Sequence, residues 1–69
     1  MSSAIVIGQR IKSLREKKEI TRESFCTTVG ITQSALSMYE NGQRIPRDEI
    51  KVKIARTLDT SIEALFFAS

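Results

Sequence analysis

The hydrophobic residues of this 69-residue chain recur at the spacing of helices rather than of strands. Near its start, Ile7, Ile11 and Leu14 form one apolar stripe, because residues three and four positions apart share a helix face. Similar stripes follow along the chain: Phe25, Cys26 and Val29; Ala35, Leu36 and Tyr39; Ile50, Ile54, Ala55 and Leu58; Ile62, Leu65 and Phe66. No stretch alternates apolar and polar residues for long enough to indicate a strand. The pattern predicts an all-α fold, a compact five-helix bundle.

Polar residues and glycines between the stripes mark the expected helix ends. Side chains that favour N-cap positions precede several of the stripes: Ser2 or Ser3, Thr21, Thr32, and Thr60 or Ser61. Thr60 and Glu63 also have the spacing of a capping box. Gly30 and the Asn41-Gly42 pair allow the left-handed backbone that ends many helices. Since 69 residues have room for one small core, residues 1–69 are expected to form a single domain.

The net charge of +3 is concentrated near the start of the chain. Residues 1–22 contain six basic and two acidic residues, whereas the two kinds nearly balance over the rest. A one-sided basic surface favours an anionic partner, but the same charges are also typical of a solvated helix face. Charge alone leaves both interpretations open.

The residue types that are absent exclude several classes of chemistry. The chain has no histidine and a single cysteine, Cys26, so serine–histidine and cysteine–histidine catalysis are excluded. We expect no enzyme activity, metal site or cofactor, and no small-molecule ligand is evident. A lone cysteine cannot form an internal disulfide, which favours a reducing cytoplasm. No signal peptide or membrane-spanning run is visible, so no membrane partner is expected.

The segment from Arg22 to Tyr39 combines a helix, a short turn with Gly30 and a second helix. Cys26 stands where the two helices are expected to cross closely, which favours a small residue there. The residues from Thr32 to Ser34 open the second helix with polar side chains directed outward. This is the layout of a helix-turn-helix, here at about residues 21–40, whose second helix enters the DNA major groove with its N-terminal residues toward the bases.

The most informative motif of the chain is the run Tyr39-Glu40-Asn41-Gly42, at its distance after the turn glycine Gly30. Other informative stretches are Ile7–Thr21, Gly30–Gly42, Lys53–Ala55 and Ser61–Phe66. With these stretches the chain resembles the Cro/repressor-type (XRE) helix-turn-helix family over nearly its whole length, from about Ile5 to Phe67. The resemblance implies five helices, sequence-specific binding to double-stranded DNA and transcriptional regulation, usually by a homodimer on an inverted repeat.

The predicted recognition helix carries the candidate base contacts, which are Gln33, Ser34, Ser37 and Met38. Gln33 is its first exposed side chain, and a glutamine amide matches N6 and N7 of adenine. Serine pairs with several bases or phosphates, and Met38 either touches a thymine methyl group or simply covers the helix. Phosphate contacts are expected from Arg22, Thr32, Asn41, Gln43 and Arg44, which lie near the two ends of this helix.

Arg15 and Glu40 match an arginine and a glutamate that pair in some phage repressors. The resemblance therefore implies an ion pair that joins helix 1 to the end of helix 3. Phe67 follows the inward-facing Phe66, so it is expected to be exposed and to form a dimer interface. A frayed terminus is the alternative for Phe67.

Some positions depart from the family pattern. Glu19 and Asp59 stand at helix ends where glycine is frequent, which predicts slightly strained turns. Arg47, Asp48 and Lys51 replace the small cap and the apolar residues usual at the start of helix 4.

Together these features predict a cytoplasmic DNA-binding regulator, a repressor that acts as a homodimer. Its two recognition helices would enter the major groove about 34 Å apart, at half-sites one helical turn from each other. The alternative is a protein-interaction module with the same fold, such as an antitoxin or an adaptor. The basic N-terminal third and the polar face of helix 3 argue against that alternative, whereas the C-terminal aromatic residues keep it open.

Overall fold

The computed structural model describes residues 3–68 of the chain. In this range the secondary structure is entirely helical: α1 (Ala4–Lys17), α2 (Arg22–Val29), α3 (Gln33–Glu40), α4 (Asp48–Thr57) and a final π-helix at Glu63–Phe67, called the C-terminal π-turn below. The predicted all-α fold with five helices is confirmed. Its last helix is wider than expected, because the N–H of Ala68 donates to the carbonyl of Glu63, five residues earlier.

Hydroxyl side chains cap the starts of the helices as their positions in the sequence predict. The hydroxyl oxygens of Ser3, Thr21 and Thr32 accept backbone N–H groups three residues later, at 3.2, 3.1 and 3.0 Å. Ser2, the alternative cap of α1, lies outside the described residues. At the C-terminal π-turn the cap is Ser61, which accepts the N–H of Ala64 at 3.0 Å.

The start of α4 is formed without this support. Arg47 occupies its N-cap position and makes no side-chain cap hydrogen bond. Asp48 and Glu49 lie in the first turn of α4, where the positive end of the helix dipole favours acidic groups. The departure from the family pattern at these positions therefore leaves a helix that is stabilised by charge instead of by a cap.

The four α-helices end in the same way, with one residue in the left-handed conformation. These residues are Glu19, Gly30, Gly42 and Asp59, with φ angles of 56°, 81°, 75° and 54°. In each case the next residue donates its N–H to the carbonyl five positions earlier, as Ile20 does to Arg15. Two of the four positions are not glycine, and a side chain in this conformation costs about 1–2 kcal/mol. The left-handed backbone at Glu19 and Asp59 is thus the source of the strain that the sequence predicts at these two turns.

The apolar stripes of all five helices meet in one core. Its fully buried members are Ile7, Ile11, Phe25, Val29, Leu36, Ile54, Leu58, Leu65 and Phe66. Cys26 and Tyr39 are buried beside them, which confirms that both are core residues. Among residues 3–68, no helix combines the length and apolar character that crossing a membrane requires.

Gly8 marks the closest approach between α1 and α3. A Cβ atom at this position would lie 2.4 Å from the carbonyl oxygen of Tyr39 and 2.6 Å from that of Glu40. Because both neighbours are backbone atoms, they cannot move aside as a flexible side chain would. Glycine at this position therefore lets the first helix rest directly on the end of α3.

Candidate nucleic-acid interface

The segment from α2 to α3 has the geometry of a helix-turn-helix. Thr21 caps α2, Gly30 makes the left-handed turn, and Thr32 caps α3. The inner faces of both helices are buried through Phe25, Leu36 and their neighbours in the core. The packing of these faces fixes the two helices and leaves the outer face of α3 accessible.

The four candidate base-contacting residues share the outer face of α3 but differ in exposure. Gln33 and Ser34, in the first turn, are exposed. Ser37 and Met38, one turn further along, are half-buried. The first turn is therefore the most accessible part of this face, as contact between a helix N-terminus and base edges requires.

The candidate phosphate-contacting residues flank α3 at both ends. At the start, Thr32 is exposed, although its hydroxyl already accepts the N–H of Ala35. Beyond the end, Asn41, Gln43 and Arg44 are exposed in the loop that leads to α4. Arg22 belongs to this set by prediction, but the structure gives its guanidinium several partners inside the protein.

Arg15 and Glu40 form the ion pair that the sequence predicts. Arg15 donates from Nε to Oε2 of Glu40 at 2.8 Å and from Nη2 to Oε1 at 3.4 Å. Both side chains are buried, with 8% and 3% of their surface exposed. The hydrogen bond with Glu40 raises the pKa of Arg15 above its ordinary value. Nη1 of Arg15 also donates to the carbonyl of Ile20, so the pair holds the turn after α1 as well as the end of α3.

Arg22 completes this cluster from α2, which the sequence alone did not predict. Its Nη1 donates to Oε1 of Glu40 at 3.1 Å. Its Nη2 donates to the carbonyl of Gln33 at 3.2 Å and makes a short hydrogen bond to the hydroxyl of Ser37. We call Arg15, Arg22 and Glu40 the arginine–glutamate node. The signal in the sequence is one acidic residue of α3 with arginines on both preceding helices, but only the fold shows that all three converge.

Cys26 lies in the core beneath the node. Burial raises the pKa of its thiol, so the protonated, neutral form is favoured at this position. The residue behaves as a small apolar side chain, consistent with its place in the packed face of α2.

A second cluster is formed by α4 and the C-terminal π-turn, and it consists of Asp48, Lys51, Phe66 and Phe67. Nζ of the buried Lys51 lies 5.5 Å from the ring centroids of both Phe66 and Phe67. It also lies 3.6 Å from the carboxylate of Asp48, whose side chain is almost fully exposed. We call this group the lysine–aromatic cluster. Lys51 thus has its stem buried and its charge facing two rings.

Arg10 attaches the C-terminal π-turn to α1. Its guanidinium donates to the carbonyl oxygens of Ala64, Leu65 and Ala68 at 3.4, 3.2 and 2.8 Å. These contacts satisfy carbonyls of the last helical turn. Phe67 lies on the surface, with 47% of its area exposed. Phe67 is therefore exposed as predicted.

Comparison with known proteins places this geometry in a family. A family model described as a helix-turn-helix matches residues 11–65. The chain is 36% identical over 62 residues to an uncharacterised HTH-type transcriptional regulator, YazB of Bacillus subtilis, with 90% of each chain covered. It spans about half the length of some other curated relatives that it matches, such as 52% of one and 45% of another.

Solved structures with the same fold agree with this match. The restriction-modification controller protein C.AhdI from Aeromonas hydrophila superposes with a TM-score of 0.84 at 30% identity, covering 91% of this chain and 96% of that one. The P22 c2 repressor in complex with a synthetic operator superposes with a TM-score of 0.87 at 25% identity, covering 93% and 97%. The chain therefore belongs to the Cro/repressor-type (XRE) helix-turn-helix family.

Proposed function

We propose that this protein is a cytoplasmic transcriptional repressor that binds double-stranded DNA as a homodimer on an inverted-repeat operator. The observation that carries the proposal is the outer face of α3. Gln33 and Ser34 are exposed in its first turn, next to a capped helix N-terminus that favours phosphate. The P22 c2 repressor, which shares the fold, was solved in complex with a synthetic operator.

In this proposal the two ends of α3 position it in the major groove. Asn41, Gln43 and Arg44 contact phosphates beyond its C-terminal end, and Thr32 does so through its backbone N–H. Arg22 also contributes, because its three hydrogen bonds do not exhaust the five N–H donors of a guanidinium. Such contacts hold the helix in register, while Gln33, Ser34, Ser37 and Met38 contact base edges.

The homodimer is proposed to form through Phe67 and the groove beside it. The groove has a volume of about 250 Å³ and is lined by Asp48, Lys51, Val52, Ile62 and Phe67. An exposed aromatic ring next to an apolar groove on the same chain suits a two-fold contact, since each copy supplies the same surface to the other. A two-fold dimer then presents its two α3 helices to half-sites about 34 Å apart.

Selection of bound duplexes from a random pool tests the DNA-binding proposal. We expect enrichment of an inverted repeat, and Gln33→Ala is expected to relax the preference at one base pair of each half-site. Arg44→Met is the matched control. It removes a phosphate contact, so it should weaken binding to all sequences alike and reduce its dependence on salt. Unchanged sequence preference in Gln33→Ala would contradict the assignment of α3.

Sedimentation equilibrium tests the dimer. Phe67→Ser is expected to shift the protein toward monomer, whereas Ile45→Ser, which changes a similarly exposed apolar residue, should leave association unchanged. Equal effects of both changes would contradict an interface at Phe67. A protein that enriches no duplex at any salt concentration would favour the protein-interaction module instead.

A further inference from the structure

Arg22 and Ser37 are joined by a hydrogen bond on the face of α3 that carries the candidate base contacts. We propose that Arg22 orients the hydroxyl of Ser37 and places a cation behind it, so that Ser37 donates to DNA and prefers the keto bases guanine and thymine. This inference rests on the proposed function, in which α3 lies in the major groove. A serine hydroxyl ordinarily pairs with several bases, and the orientation imposed by Arg22 gives Ser37 a defined preference.

The argument begins with the hydrogen-bonding capacity of a serine hydroxyl, which has one proton and two lone pairs. Nη2 of Arg22 donates to one lone pair of Ser37, so the hydroxyl proton must point away from the guanidinium. A helical serine often donates this proton to the carbonyl four residues earlier, which here belongs to Gln33.

The carbonyl of Gln33 is already occupied. It accepts the N–H of Ser37 as part of α3, and it accepts Nη2 of Arg22 at 3.2 Å. Since a carbonyl oxygen has two lone pairs, these two bonds saturate it. The proton of Ser37 therefore has no free acceptor at Gln33, and the half-exposed outer face of the helix makes it available to an acceptor outside the protein.

Glu40 keeps Arg22 in the orientation that this requires. Its buried carboxylate accepts Nη1 of Arg22 at 3.1 Å while Arg15 holds the same carboxylate from the other side. The planar guanidinium is thus fixed at one edge by Glu40 and at the other by Gln33 and Ser37. The node acts as a support for Ser37, in addition to its role in the core.

Base chemistry converts this orientation into a preference. In the major groove, guanine presents O6 and N7 and thymine presents O4, all acceptors, whereas cytosine presents an amino donor and adenine an amino donor beside N7. The outward hydroxyl keeps its proton and one lone pair, so by itself it pairs with either kind of base edge. The guanidinium cation behind it decides between them, because a positive charge favours the electron-rich keto oxygens and disfavours the positively polarised amino groups. Ser37 lies four residues from Gln33, or about 6 Å along the helix, so its base is displaced from that of Gln33 by about two steps.

The test is selection of duplexes by the full-length protein, followed by binding titrations on duplexes that differ only at the Ser37 position. We expect roughly a tenfold preference for a keto over an amino base in the unmodified protein. Ser37→Ala and Arg22→Met should each reduce it to within about twofold, and the double variant should have no further effect. Arg44→Met should keep the full preference, and the preference at the Gln33 base should persist in every variant.

Circular dichroism shows whether Arg22→Met is folded. If it is not, Arg22→Lys provides a second variant for the same test. Lysine keeps a cation beside Glu40, but as a point donor it cannot bond Glu40, Gln33 and Ser37 in one plane, so the same loss of preference is expected. Retention of the tenfold preference in folded Arg22→Lys overturns the inference while leaving the proposed function intact. No enrichment by the unmodified protein overturns both.

Discussion

The arginine–glutamate node and the lysine–aromatic cluster both bury a charged side chain, but their contacts differ in kind. In the node, the Glu40 carboxylate accepts directional hydrogen bonds from two guanidiniums on separate helices, the shortest 2.8 Å long. In the cluster, the Lys51 ammonium has a carboxylate at 3.6 Å and two ring faces at 5.5 Å. The node is buried and held by directional hydrogen bonds. The lysine–aromatic cluster has longer, non-directional contacts and is exposed to solvent at Asp48 and Phe67.

This difference corresponds to the role proposed for each of the two clusters. The node connects α1, α2 and α3, so it fixes the orientation of the helix proposed to contact bases. The cluster borders the groove proposed to receive a second copy, and its non-directional contacts allow Phe67 and Lys51 to adjust. Directional ion pairs suit a surface that must be preorganised, whereas cation–ring contacts suit one that is completed by a partner.

The largest expected effect of a substitution is at the node. Arg15→Met and Glu40→Gln should each lower the free energy of unfolding by about 3 kcal/mol, because each leaves a buried group without its counter-charge. Urea melts of the single variants and the double variant measure the coupling between them. The double variant should lose clearly less than the sum of the singles, and strict additivity would show that the two residues act independently.

Gly8→Ala tests the helix crossing that brings the node together. The new methyl group would lie 2.4 Å from the carbonyl of Tyr39, so α1 must shift, at a cost of about 2–3 kcal/mol. Gly30→Ala is the control, since no atom beyond the glycine and its two chain neighbours lies within 4 Å of the added carbon, and only the left-handed backbone resists the change. It should cost about 1 kcal/mol. A loss for Gly8→Ala no larger than the control would mean that α1 and α3 can separate freely.

Lys51→Met compares the contribution of the lysine–aromatic cluster to the free energy of unfolding with that of the arginine–glutamate node. The substitution keeps the buried stem and removes the charge, so the free energy of unfolding should change by less than about 1 kcal/mol in either direction. The comparison with Arg15→Met uses the same replacement at another buried cation. A loss at Lys51 as large as that at Arg15 would show that the lysine–aromatic cluster is no looser than the node.

The smallest expected effects are at the strained ends of α1 and α4, the helices that carry Arg15 and Lys51. Glu19→Gly and Asp59→Gly should each raise the free energy of unfolding by about 0.5 kcal/mol. The free energy gained by removing the side chain from a left-handed backbone slightly exceeds the free energy lost because glycine increases the conformational entropy of the unfolded chain. Glu16→Gly, inside α1, serves as the control and should cost about 1 kcal/mol. Thermal melts would detect the opposite signs, and a loss in all three variants would argue against strain.

Much of the fold follows from local signals in the chain. The stripes, the threonine caps and the turn at Gly30 each depend on residues within a few positions of one another, so spacing alone predicts them. The Arg15–Glu40 pair followed from resemblance, since its partners lie 25 residues apart. The cap at Ser61 was one of two candidates, and the hydrogen bond to Ala64 decided between them.

The candidate site was predicted less completely. The positions of Gln33 and Ser34 follow from helix periodicity, because they open α3 on the side opposite its buried stripe. The contacts of Arg22 do not, because a surface arginine is equally free to reach a phosphate, a carboxylate or solvent until the neighbouring helices are placed. The close approach at Gly8 was missed for a similar reason, since a glycine within a helix gives no sign of which backbone lies against it.

By itself, the sequence determined that the chain is helical, where most helices begin and end, and which faces are apolar, because propensity, capping and periodicity act over one or two turns. The tertiary structure alone decided that Arg15, Arg22 and Glu40 converge, and that Lys51 faces two rings of a widened helical turn. Those contacts depend on the angles and distances at which separate helices pack. Small differences in such packing decide whether a long polar side chain bonds inside the protein or extends toward a partner.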